Sequence, residues 1–146
     1  MYKWFDYVKE NYNNKIHGYV IMPNHIHILM HISNQSPNIS KLIQNAKRFL
    51  AYGIVNLLER DSKNDLLEIF QQKANHKKGS KHKVFEVRYD SKIIESENIF
   101  IEKLNYIHRN SCTEKWQLAD LPEKYRYSSA ANYSSGNGMY EVDFLL

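Results

Sequence analysis

Cysteine, proline and glycine are scarce in this chain of 146 residues, at one, three and five copies. A single thiol, Cys112, excludes an intrachain disulfide and a thiolate zinc cluster, which fits a reducing compartment. No apolar run approaches the roughly 20 residues that span a bilayer. The opening "MYKWFDYVKENYNNK" lacks the layout of a signal peptide. A cytoplasmic protein with no membrane association is therefore expected. Internal repeats and Pro- or Ser-rich linkers are also lacking, so residues 1–146 read as a single domain.

What is present is ordinary for a globular protein: 42% hydrophobic and 25% charged residues, with eleven tyrosines. The net charge of +4 and a pI near 9.0 favour polyanionic partners without identifying one.

Apolar spacing predicts a helix over residues 2–12, carried by Tyr2, Trp4, Phe5 and Val8, and ended by "NYNNK". Residues 15–22 and 25–32 read as two strands joined at "MPN", an antiparallel hairpin. A longer helical stripe runs from Ile39 through Leu42, Ala46, Leu50 and Ile54 to Leu58, with Lys41, Lys47 and Arg48 opposite. A short helix is predicted over 65–74, a strand over 84–89 ("VFEVRY") and a helix over 97–110. This order describes an α+β fold, a small antiparallel sheet covered by helices.

Side chains alternate across a strand, so the second strand divides into two faces. One carries Ile26, Ile28, Met30 and Ile32 and reads as core. The other carries His25, His27, Leu29 and His31. Imidazoles two residues apart start about 6.5–7 Å from each other and can converge on one ion. They can equally be half-exposed histidines hydrogen-bonded to neighbours. Both readings stay open on spacing alone. His31, about 13 Å from His27, falls outside such a pair. Further along, "IFIEKLNYIHRN" places Tyr106 and Asn110 one turn apart on one helical face. An amide oxygen is a hard neutral donor suited to Mg²⁺ or Mn²⁺. An Asn at a helix end is also a common cap, and Tyr a common packing residue. His108 points elsewhere on the helix.

Taken together, "YVIMPNHIHILM", "LNYIHRN" and "YRYSSA", in that order, resemble the single-tyrosine HUH transposases. The nearest branch is the REP-associated tyrosine transposases, within the insertion-sequence 200-like family. The resemblance runs from the first helix to "SSAANY". It implies a ferredoxin-like (RRM-like) HUH fold and a metal-dependent single-stranded DNA endonuclease and strand transferase acting in DNA transposition. Carried over position by position, it makes His25 and His27 metal ligands, Asn110 the third ligand and Tyr106 the nucleophile. The cofactor would be Mg²⁺ or Mn²⁺, and the partner single-stranded or hairpin DNA. Attack by the tyrosine leaves a covalent 5′-phosphotyrosine and a free 3′ hydroxyl, so the bond energy is kept for rejoining.

Seven Lys or Arg side chains lie between Lys73 and Lys92, against only Glu86 and Asp90. That local surplus exceeds the charge of the whole chain. Lys77, Lys78, Lys81, Lys83 and Arg88, with Lys47 and Arg48, are candidate DNA contacts, and Phe85 and Tyr89 could stack on bases. A solvated loop explains "KKGSKHK" equally well.

The chain also departs from the family. Members open with a strand before the first helix, whereas Met1 here leads directly into "YKWFDYV". The expectation is an HUH domain lacking its first strand, with an unpaired edge beside the histidine strand that invites a homodimer. The usual Asn-Pro becomes Asn110-Ser111, which removes a helix terminator but no ligand. These departures keep a second reading alive, a truncated or domesticated relative that binds DNA hairpins without cutting. A small zinc hydrolase would need a general base near the histidines, and no Glu stands at a suitable spacing.

Overall fold

A computed structural model describes residues 1–76 and 79–145. The candidate DNA contacts Lys77 and Lys78 lie outside the described residues. Five α-helices and one two-stranded antiparallel sheet give an α+β fold, as expected. They are α1 (Tyr2–Tyr12), β1 (Lys15–Ile21), β2 (Ile26–His31), α2 (Ile39–Arg60), α3 (Asn64–Gln72), α4 (Glu97–Arg109) and α5 (Ala130–Ser135). Among the described residues no helix is long and apolar enough to cross a membrane. Contacts cluster into two compact units, Tyr2–Ser36 with the segment from Lys92 onward, and Pro37–Ser91.

In the first unit, α1 buries Trp4, Phe5 and Val8 and stops where Asn13 turns left-handed (φ 54°). Asn tolerates that conformation better than most residues. Asn14, almost fully buried, then clamps the base of the hairpin. Its Oδ1 accepts from the Ser33 amide and its Nδ2 donates to Ser36 Oγ. At the other end the Met22 amide donates to the His25 carbonyl (2.8 Å) around Pro23-Asn24.

The register pairs Tyr19 with Ile28, Val20 with His27 and Gly18 with Leu29. One face of β1 meets α1: the Tyr19 ring lies 5.4 Å from Phe5 and 5.6 Å from Tyr2. The other face meets α4, where Val20 and Leu29 pack with Phe100, Leu104 and Ile107. The approach is close at Gly18, since a Cβ there would stand 2.5 Å from Leu104 Cδ1.

This arrangement corrects the reading of β2. The buried residue is Leu29, on the histidine face, while Ile26, Ile28 and Met30 are half-buried and Ile32 is 37% exposed. The sheet has only two strands, and the α1 rings pack over Tyr19 of β1, so the aliphatic face of β2 is only partly covered. Among the described residues no strand lies on the outer edge of β2.

The outer edge of β1 is closed by irregular chain. Ser129 N donates to the Tyr19 carbonyl, Ile21 N to the Tyr127 carbonyl, and Asp143 N to the Ile16 carbonyl, all at 2.8–2.9 Å. The hydroxyl of Ser129 also accepts from the Tyr19 amide and stands 2.8 Å from His108 Nε2. Burial holds the pKa of His108 down at about 4, so the imidazole is neutral at pH 7.

In the second unit α2 is capped by Asn38, whose Oδ1 accepts from Lys41 N (3.0 Å). It buries Leu42 and Ala46, and α3 buries Leu67. Residues 84–89 are irregular, not a strand. Alternation alone cannot supply the neighbouring edge a strand needs to satisfy its backbone.

Gly18→Ala should push Leu104 off its packing position and cost about 1–3 kcal/mol, the usual range for overpacking. Urea unfolding measures it, and Gly53→Ala on α2, where an added Cβ meets nothing within 4 Å, is the control.

Candidate active site

His25 follows the Pro23-Asn24 turn and His27 lies two residues into the hairpin's second arm, so both rings leave the same face. Their centroids are 5.0 Å apart at an interplanar angle of 85°. His25 Nδ1 is 2.6 Å from Asn24 Oδ1. The amide oxygen can only accept, so Nδ1 donates to it and Nε2 is the nitrogen left outside this hydrogen bond. On its other side the ring sits 5.6 Å from that of Trp116. Desolvation, followed by repulsion from His25, lowers the pKa of His27 and favours its neutral, ligand-competent form.

Helix α4 brings the phenol to this pair. Ser96 Oγ caps its first turn, accepting from Ile99 N, and Phe100, Leu104 and Ile107 fix its inner face on the hairpin. Tyr106 sits on the flank of that face. Its ring lies 5.7 Å from that of His27 at 79°, edge to face, and the residue remains 58% exposed. The imidazole pair and the phenol, far apart in sequence, are therefore neighbours within one chain.

Asn110 ends α4 one turn after Tyr106 and is buried. Its carbonyl accepts from the amide and hydroxyl of Thr113. Helix α4 ends at Asn110 in a tight turn. Residues Asn110–Cys112 tighten into a 3₁₀ turn, Ser111 is fully buried, and its carbonyl takes the Leu118 amide. His31 is exposed at the opposite end of β2, and His108 is turned toward Ser129. Two neighbours went unnoticed in the sequence, Asn24 and Trp116. Asn24 adjoins the first histidine, and an amide beside an imidazole was the available clue; Trp116 carried none.

The basic side chains belong to the unit Pro37–Ser91. Lys47 does not stand free: its Nζ donates to the carbonyls of Glu86 (2.6 Å), Val87 (3.0 Å) and Arg88 (3.0 Å). It also lies 5.8 Å from the centre of the Tyr89 ring, whose hydroxyl reaches Ser40 Oγ. Lys83 pairs with Glu86 at 2.8 Å. Arg48, Lys81 and Arg88 are exposed.

In comparisons with known proteins, no family model, no curated protein and no solved structure matches the chain.

Three carbonyls converging on one ammonium make Lys47 the pin that holds segment 86–88 to α2. Lys47→Met keeps the aliphatic stem and removes the donors. Limited trypsin digestion should then cut after Arg88 several-fold faster, with the unfolding midpoint of the Tyr2–Ser36 hairpin unit unchanged.

Proposed function

We propose that this protein is a metal-dependent single-stranded DNA endonuclease and strand transferase of the single-tyrosine HUH transposase type. The observation that carries the reading is the contact between the His27 and Tyr106 rings, which joins an imidazole pair to an exposed phenol. The excess of positive charge between Lys73 and Lys92 supports a polyanionic substrate.

The donor set fits a divalent ion in part. The His25 and His27 imidazoles lie side by side, and among the described residues no third His, Cys, Asp or Glu joins them. The third protein ligand would then be the Asn110 amide. Imidazole and amide donors together suit Mn²⁺ or Mg²⁺ with positions left for phosphate oxygens. When bound, such an ion supplies charge neutralisation at the non-bridging oxygens and aligns the scissile phosphate.

The remaining steps belong to the chain's own residues. Asn24 holds His25 with Nε2 turned away from the hydrogen bond, so the donor is set before any ligand arrives. The edge of the His27 ring fixes the Tyr106 side chain beside the imidazoles, and its exposure leaves the hydroxyl open to a strand and to water. The phenol proton passes to solvent and the phenolate oxygen attacks phosphorus. The bond to the 3′ oxygen breaks, and that oxygen takes up a proton as the 3′ hydroxyl. A phenolate is a better leaving group than an alkoxide, so the phosphotyrosine can be reopened by an incoming 3′ hydroxyl without ATP.

Incubation with 3′-labelled hairpin DNA and Mn²⁺, followed by a denaturing gel, should give a labelled protein–DNA band. Tyr106→Phe should retain DNA binding and lose the band. Binding without any band in the unsubstituted protein would instead favour a hairpin-binding relative that does not cut. Asn24→Ala should weaken Mn²⁺ binding about 10-fold or more, measured by calorimetry without DNA. Unchanged affinity would remove Asn24 from the ligand-orienting role.

A further inference from the structure

The row of rings at the candidate site does not stop at the imidazoles. Tyr106 meets His27, His27 meets His25, and His25 meets Trp116, at centroid distances of 5.7, 5.0 and 5.6 Å. Lys115 closes the row, its Nζ standing 5.4 Å from the centre of the Trp116 ring. Steps of 5.6 Å and 5.4 Å keep that ammonium within about 11 Å of the His25 ring, about three nucleotides at the ~3.4 Å rise of a stacked strand.

The indole is anchored. After Asn110 the chain forms a loop closed by the Leu118 amide on the Ser111 carbonyl. Within it the amides of Trp116 and Gln117 both donate to the Thr113 carbonyl, each at 2.9 Å. The half-buried Trp116 side chain packs against the cluster that includes Val20, Leu29 and Ile107. Lys115 is exposed, and among the described residues it enters no ion pair, although Glu114 precedes it. A cation laid on an exposed ring is held weakly, so its head can pass to a phosphate oxygen while the stem stays on the indole. An anchored aromatic face beside an unpaired ammonium is what a single strand needs, a platform for a base and a charge for its backbone. The other candidate DNA contacts fall in Pro37–Ser91, whereas this pair belongs to the same compact unit as His25, His27 and Tyr106.

We propose that Trp116 and Lys115 form the single-strand clamp of this site. The indole stacks on a base, and the ammonium holds a phosphate within about three nucleotides of the one to be cut. The clamp rests on the strand-transfer reading above and adds to it the side chains that hold the strand beside the imidazoles.

The test uses the full chain in EDTA, so that it does not depend on cleavage, with a short single-stranded oligothymidylate as the probe. Trp4 is fully buried, so a change in indole emission on adding the probe reports Trp116. That emission should fall. Lys115→Gln should lower the slope of log K against log salt by about 0.7, the share of one phosphate contact on a single strand. Lys3→Gln makes the same charge change on α1, across the hairpin from α4, and should leave the slope where it was. An unchanged slope in Lys115→Gln, an equal fall in Lys3→Gln, or emission that the probe does not move overturns the clamp. A Tyr106 adduct alongside any of those results would keep the strand-transfer reading. Quenching and a lowered slope with no adduct would keep the clamp and remove that reading.

Discussion

Helix α4 can lie against the hairpin because residue 18 has no side chain. A Cβ at residue 18 would stand 2.5 Å from Leu104 Cδ1, on the face of α4 that packs against the hairpin. Leu104 lies between Phe100 and Tyr106 in the helix and packs with Val20 and Leu29 of the hairpin. Tyr106 reaches the His27 ring from one side of it, and Phe100 reaches His17 from the other. Packing in the core and geometry at the surface are here one constraint.

Around that frame, hydrogen bonds to ring nitrogens decide what each histidine can do. His25 and His17 each give their Nδ1 proton to a fixed oxygen, from a side-chain amide in one and a backbone carbonyl in the other. In each, Nε2 is the nitrogen left outside that hydrogen bond. His108 is spent differently. Its Nε2 meets the Ser129 hydroxyl in the interior, where burial keeps it neutral and ties α4 to the chain segment along β1. The three rings are thus held by three different partners, a side-chain amide, a backbone carbonyl and a buried hydroxyl.

Much of this was legible in the sequence, unevenly. The helices followed from apolar spacing because a 3.6-residue period survives on a single amphipathic face, as with Trp4, Phe5 and Val8. The hairpin followed from "MPN" between two alternating runs. Alternation could not say which face of β2 is core, since both faces carry apolar residues and a two-stranded sheet covers them unequally. It also misled at "VFEVRY", where the pattern of a strand exists but no edge receives it. The contact of Tyr106 with the histidines was anticipated from the order of short motifs, never from periodicity. The roles of Tyr127–Ser129 and Asp143 along β1 were invisible, because irregular backbone that donates and accepts has no compositional pattern.

Those late residues shape how the chain reaches its fold. The Ile16 carbonyl waits for the Asp143 amide, and the Tyr19 carbonyl for that of Ser129, 110 positions downstream. The outer edge of β1 therefore stays open until residues more than 100 positions later come into place. Closure over such separations is entropically slow and makes the transition state dependent on distant contacts.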